Sequence, residues 1–190
     1  MATPDSPPAE ESIDDVLSLF ERLGSERYSE SVSQIEHACQ CAALAESAGS
    51  SPALVAAALL HDIGHLLAVD DAPPQRAEAR DDHHEAVGAR WLASRFGVDV
   101  SVPVALHVAA KRYLCAIDPE YNAILSPASV HSLQMQGGPM APEHAAAFES
   151  RPGWEDAVAL RRWDDGAKDP DITVPPMSTY VPMLRELADR

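Results

Sequence analysis

The chain has 190 residues, with 30 acidic against 14 basic side chains and a net charge of −16. A surface of that sign repels nucleic acid and anionic lipid, and accepts a small anion only where local cations outweigh the distant field. Length suits one domain, and 46% hydrophobic with only 5% aromatic residues favours closely packed, alanine-rich helices over a sheet.

Residues 1–11 read as a disordered tail, polar and acidic with three prolines, unlike a secretory signal. Residues 12–190 then form a single domain. Ile13 to Leu23 is an amphipathic helix ended by Gly24. Ser33 and Glu36 have the capping-box spacing, in which each side chain satisfies the other's orphan backbone donor; the helix they open runs toward Ala48. Ser51-Pro52 is a cap followed by proline at the first helical position. It starts a helix from Ala53 to about His65 that is apolar nearly all round, hence central and buried.

Residues 69–81 are polar and carry Pro-Pro, the signature of a loop. Asp82 and Glu85 can cap a helix reaching Phe96, and Ser101 and Pro103 start another through Cys115. Asp118-Pro119 and Ser126-Pro127 repeat the cap-plus-proline pattern. Pro142 opens a helix near 143–150, Trp154 to Asp165 forms the next, and Ser178 begins the last. Almost nothing alternates with period two, so the fold class is all-α. No apolar run approaches the ~20 residues of a bilayer span. Three cysteines (Cys39, Cys41, Cys115) make no paired framework, so a cytoplasmic setting is expected. Cys39 and Cys41 are separated by one residue and point apart on a helix, which reads as packing.

The chemistry gathers at His61-Asp62-Ile63-Gly64-His65. An adjacent imidazole and carboxylate offer a divalent metal one nitrogen and one oxygen, and the carboxylate can bridge two metals. An acid at a helix C-terminus faces the negative end of the dipole, a cost that a cation removes. Further imidazoles lie on successive helices: His37 after the capping Glu36, His83 and His84 after the loop, and His107 among apolar neighbours. Asp164 stands near the end of the Trp154 helix, with Asp165 as an alternative carboxylate. Helical folds assemble dinuclear metal sites from such distributed sets.

His37, His61-Asp62, His84 (or His83), His107 and Asp164 resemble the ordered ligand set of the HD-domain superfamily. The two additional histidines are the mark of its dinuclear members. The stretches 34–42 and 59–65 resemble a narrower group, the mixed-valent diiron oxygenases that cleave the carbon–phosphorus bond of 1-hydroxyalkylphosphonates. The resemblance spans roughly residues 13–170 and implies an HD-domain helical bundle with a buried dinuclear site. It implies two iron ions, Fe(II) and Fe(III). One would be held by His37, His61 and Asp164, the other by His84 and His107, with Asp62 bridging. It implies reaction of a phosphonate with O2 to give phosphate and glycine or glycine betaine, according to a 2-amino or 2-trimethylammonio substituent. Inositol oxygenases share the ligand logic without the local match.

Three potential cations lie one helical turn from these residues: His65 four after His61, Lys111 four after His107, and Arg161 three before Asp164. Such spacings share a helix face, and a phosphonate dianion needs such donors. In the resembled group these positions hold the phosphonate, with a hydroxyl from the helix near Ser126. Ser129 is the candidate here and Ser132 the second choice. The resemblance also gives Tyr28 and Glu30 roles in a lid, Glu30 engaging the substrate's amine and Tyr28 filling an iron site before substrate arrives. Tyr28 stands two residues before Glu30, where the family pattern has three, the place of Arg27. The alternative enzyme reading is an HD-type metal-dependent phosphohydrolase using a metal-bound hydroxide; the alternative outside catalysis is a helical sensing module.

Overall fold

Ser33 opens its helix as the spacing requires: its hydroxyl accepts from Glu36 N, and Glu36 Oε2 accepts from Ser33 N at 2.8 Å. Ser51, Asp118 and Ser126 cap their helices in the same sense, each accepting from a backbone N–H in the first turn. Each such cap stabilises by about 1 kcal/mol. The computed structural model describes residues 7–26, 32–70 and 83–190, so Tyr28 and Glu30, and the Asp82 cap, lie outside the described residues. The elements are α1 (Ala9–Leu23), α2 (Gln34–Ser47), α3 (Pro52–Leu60), α4 (Ile63–Asp70), α5 (His84–Phe96), α6 (Val98–Ile117), α7 (Pro119–Ile124), α8 (Pro127–Met135), α9 (Pro142–Glu149), α10 (Trp154–Gly166), a short 3-10 turn (Met177–Thr179) and α11 (Val181–Ala188). No strand occurs among the described residues.

Four boundaries differ from the sequence expectation. Helix α1 begins at Ala9, inside the expected tail, with Glu10 and Glu11 in its first turn, where acidic side chains complement the helix dipole. The single helix expected over 53–65 is two, α3 and α4, bent by 42° at a two-residue break. That break is His61-Asp62, and it lets consecutive residues reach one site, whereas on a straight helix neighbouring side chains diverge by about 100°. Helix α4 then continues to Asp70, past the expected loop start. Helix α6 begins at Val98 and carries Pro103 inside it, because Gly97, at φ 78° and ψ −171°, turns the chain directly from α5 into α6. At 20 residues α6 is long and apolar enough to cross a membrane, contrary to the expectation of no such run. It is 67% buried against α3, α5 and α10, which identifies it as a core helix.

The buried residues form two clusters. The larger joins α1 to α5, α11 and the start of α6 around Leu54–Leu60 of α3; the smaller joins the second half of α6 to Tyr121, Leu133, Phe148 and Ala157. Helix α6 runs through both, so its middle turn, His107 to Lys111, lies at their seam. Alanine-rich α3 allows close approach of α2 and α6, and each fully buried leucine there stabilises by roughly 2–5 kcal/mol relative to alanine.

Gly64 fixes the approach of α4 to α5. A Cβ there would lie 2.0 Å from the backbone oxygen of His84, and one on Gly88 would lie 3.1 Å from Gly64 N. Backbone cannot give way as a side chain can. Gly64→Ala should therefore push the first turn of α5 outward, lowering stability by about 1–3 kcal/mol and displacing His84. A fall in both melting temperature and bound metal checks this; a variant with unchanged metal content would contradict it.

Candidate metal centre

Asp62 occupies the bend between α3 and α4 with only 10% of its side chain exposed. Its two carboxylate oxygens face different pairs of imidazoles. Oδ2 lies 3.3 Å from His61 Nε2 and 3.8 Å from His37 Nε2; Oδ1 lies 3.4 Å from His84 Nε2 and 3.7 Å from His107 Nε2. Within each pair the Nε2 atoms converge, at 3.3 Å for His37 and His61 and 3.2 Å for His84 and His107. Asp164 completes the first group, with Oδ1 3.5 Å from His37 Nε2 and Oδ2 3.8 Å from His61 Nε2. All four imidazoles and Asp164 are buried.

The inward-facing atoms are set by what the outward-facing ones do. His37 Nδ1 donates to the Ala167 carbonyl at 2.8 Å, His61 Nδ1 to Ala58 at 2.9 Å and His107 Nδ1 to Val104 at 2.7 Å. Each bond fixes the tautomer that leaves the Nε2 lone pair for a metal. His84 differs: Glu85 Oε2 lies 3.7 Å from its Nδ1, and the His65 ring stacks on it at 3.9 Å between centroids. His83, one residue earlier, adopts left-handed backbone (φ 49°) and its side chain is 72% exposed. Of the two neighbouring histidines, His84 is therefore the one aimed at Asp62.

Burial pushes His37 down to about 4 and His107 well below the ordinary imidazole range. His61 resists the same burial: Asp62 and Asp164 raise it to about 9. Against their own burial, Asp62 is held low by the surrounding imidazoles and Asp164 by Arg161 and His61. Two buried carboxylates kept ionised among four imidazoles call for positive charge at this point, and a metal fits both the donor set and its spacing. Cys41, one turn after His37, brings Sγ to 3.7 Å from His37 Nε2. Burial raises its thiol well above its ordinary value, while its Sγ stands with His37 and His61 in a group spaced to hold a metal ion.

A second group of polar side chains borders Asp164. The Arg161 guanidinium bonds Asp164 Oδ2 at 2.6 Å, Asp165 Oδ2 at 2.9 Å and the Tyr121 hydroxyl at 3.2 Å. Arg161 is thus gripped by acids of its own chain. Asp165 turns away from the imidazoles to receive Arg161, Tyr121 and, at 3.4 Å, the Ser129 hydroxyl. Lys111 Nζ donates to Ser132 Oγ at 2.7 Å, so Ser132, the second choice in the sequence, is the hydroxyl nearest that ammonium. Lys168 was missed by sequence reasoning: its Nζ lies 3.4 Å from Ser129 Oγ and 3.7 Å from Asp164 Oδ1. The signal was there, since Lys168 follows Asp164 by four residues as Lys111 follows His107.

The profile of the HD domain family matches residues 35–123, a span holding five of the six converging residues. A hydroxymethylphosphonate dioxygenase of Gimesia maris is 46% identical over 168 residues, covering 87% of this chain and 84% of that protein. A [1-hydroxy-2-(trimethylamino)ethyl]phosphonate dioxygenase (glycine-betaine-forming) of Leisingera caerulea is 40% identical over 179 residues, 90% and 88% of the two chains. An uncharacterized protein of Acanthamoeba polyphaga mimivirus is 33% identical over 93% of this chain.

Proposed function

The chain belongs to the HD-domain family, alongside relatives named as phosphonate dioxygenases, and from that premise we infer that it is an oxygenase cleaving the carbon–phosphorus bond of a 1-hydroxyphosphonate with O2. One observation carries the reading beyond likeness: a single carboxylate, Asp62, divides its oxygens between two imidazole pairs. That arrangement supports two metals sharing a ligand, which a mononuclear hydrolytic centre does not need.

His37, His61 and Asp164 would hold one ion, His84 and His107 the other, and Asp62 both. Imidazole and carboxylate donors suit iron, and an Fe(II)/Fe(III) pair bound there supplies the binding and reduction of dioxygen. The remaining steps belong to the protein. Lys111 and Lys168 place ammonium groups beside Ser132 and Ser129, a recess that takes a phosphonate dianion. Arg161 orients Asp164 and adds its charge from behind. His65 braces the His84 ring. Tyr28 and Glu30 remain our candidates for closing over the substrate. Carbon–phosphorus scission gives phosphate and a carboxylate, and for the one-carbon substrate the atoms close: hydroxymethylphosphonate and O2 yield formate and dihydrogen phosphate. We place the reaction in the cytoplasm, as three unpaired, buried thiols suggest, with no nucleic acid or membrane partner.

The test is a screen of hydroxymethyl-, 2-amino-1-hydroxyethyl- and 1-hydroxy-2-(trimethylammonio)ethylphosphonate with iron-loaded protein. Phosphate should appear under air and cease under argon. Release that persists without oxygen would establish hydrolysis instead.

The recess also has a pH signature. Burial, and then the neighbouring Arg161, push Lys111 down to about 8. The charged form binds the phosphonate, so affinity is present below that pH and lost as pH rises through it. At one unit above, about a tenth of Lys111 stays protonated, and kcat/KM, which reports free-enzyme ionisations, should fall roughly tenfold. Lys111→Met should abolish this limb of the profile; a limb that survives it would assign the titration elsewhere.

A further inference from the structure

Apart from its two thiols, the buried face of α2 carries two polar side chains, His37 and Gln40. They stand three residues apart and so share a face of the helix. Both reach the same short stretch of chain beyond α10. His37 Nδ1 donates to the Ala167 carbonyl at 2.8 Å. Gln40 pairs with Asp169 twice: its Nε2 donates to the carbonyl at 2.7 Å, and its Oε1 accepts from the backbone N–H at 3.1 Å. The residue between those two anchor points is Lys168.

Gln40 is 4% exposed, and a buried amide lowers stability unless both of its ends are bonded. The backbone of Asp169 bonds both. A leucine would fill the space without that desolvation, so what the amide adds is the hold on Asp169. The hold matters because α10 ends at Gly166. Lys168 lies beyond the last helical turn, and its placement depends on what the flanking residues bind. With the chain pinned on both sides, Nζ comes to 3.4 Å from Ser129 Oγ, 3.5 Å from Asp165 Oδ1 and 3.7 Å from Asp164 Oδ1. Both carboxylates attract that ammonium, and a chain released at Asp169 would let it fold back on them and away from an incoming anion.

We propose that Gln40 is a positioning residue for anion binding: it acts through the Asp169 backbone, not by contact with substrate, to hold Lys168 at the recess. The proposal rests on the anion recess of the oxygenase reading. Because His37 keeps its own bond to Ala167, the metal group should not register the loss of Gln40.

Binding of inorganic phosphate to the iron-loaded protein, followed by calorimetry, provides a readout independent of turnover. Gln40→Met, close in size and unable to make either bond, should raise the phosphate Kd and the phosphonate KM roughly tenfold, the scale of one hydrogen bond to a charged group. Iron content and kcat should stay unchanged. Lys168→Met should do the same. The double variant should be no worse than Lys168→Met alone, because Gln40 then has nothing left to position. Should Gln40→Met fail to fold, Gln40→Glu carries the same comparison, since it keeps the bond from Asp169 N–H and loses the one to the carbonyl. Effects that multiply in the double variant would overturn the proposal. So would a Gln40 variant that loses iron and kcat together, or one whose phosphate affinity is that of the wild type. If phosphate binding depends on Gln40 through Lys168 but no 1-hydroxyphosphonate releases phosphate, the oxygenase reading fails and the positioning role stands.

Discussion

Asp62→Asn should leave the fold intact and remove activity almost completely. The amide keeps the size of the carboxylate but offers a single oxygen ligand, so one imidazole pair loses its shared donor. Outer partners of metal ligands already change affinity or activity by about 10–100-fold; losing the bridging ligand itself should exceed that range. The Asp62 oxygens lie 3.3 Å from His61 and 3.4 Å from His84, so neither metal group is spared. Iron analysis should find fewer than two ions per chain, and phosphate release should fall by more than about 100-fold. A variant that keeps both ions would show that the four imidazoles and Asp164 suffice, and would remove the central premise of the dinuclear reading.

Arg161→Leu should produce the largest loss of stability. Its guanidinium is buried and joined to Asp164 and Asp165, with Tyr121 closing the network. Removing one member of such a buried set leaves uncompensated charge and costs roughly 3–5 kcal/mol. Lys168, which reaches both carboxylates, limits the damage without replacing the planar fork. The loss should be greatest in metal-free protein and smaller after iron loading, because a bound cation takes over the compensation of Asp164. Urea unfolding with and without iron measures both; equal losses in the two states would detach Arg161 from the metal ligand.

Much of the fold was legible because helix caps are local. Ser33, Ser51, Asp118 and Ser126 announce themselves in sequence and act within one turn. The break at His61-Asp62 was not legible: Leu54 to Leu66 is apolar apart from that pair and His65, and periodicity carries no signal when every face is buried. Pro103 misled for the opposite reason, because a proline start signal was read where packing on three sides carries the helix through it. In the site, the converging imidazoles and carboxylates could be found by type and order, since imidazoles on apolar helices are conspicuous. The grip of Asp164 and Asp165 on Arg161 could not, for spacing shows which side chains share a face and not which of them bond. The resemblance favoured His84 over His83, and the structure turns His83 outward on a left-handed backbone angle with its side chain exposed.

His107 is followed four residues later by Lys111 on α6, and Asp164 by Lys168, which lies two residues past the end of α10. Helix α6 thereby acts as a ruler, with a candidate metal donor at one mark and an ammonium about 6 Å further along the axis, while Lys168 Nζ comes back to 3.7 Å from Asp164 Oδ1. On the proposed function, that gauge limits how far a phosphorus can sit from a substrate oxygen bound at the metal. A molecule carrying its hydroxyl on the carbon adjoining phosphorus fits that gauge. In 2-hydroxyethylphosphonate the added methylene overshoots it, so this compound should compete for the recess yet release no phosphate.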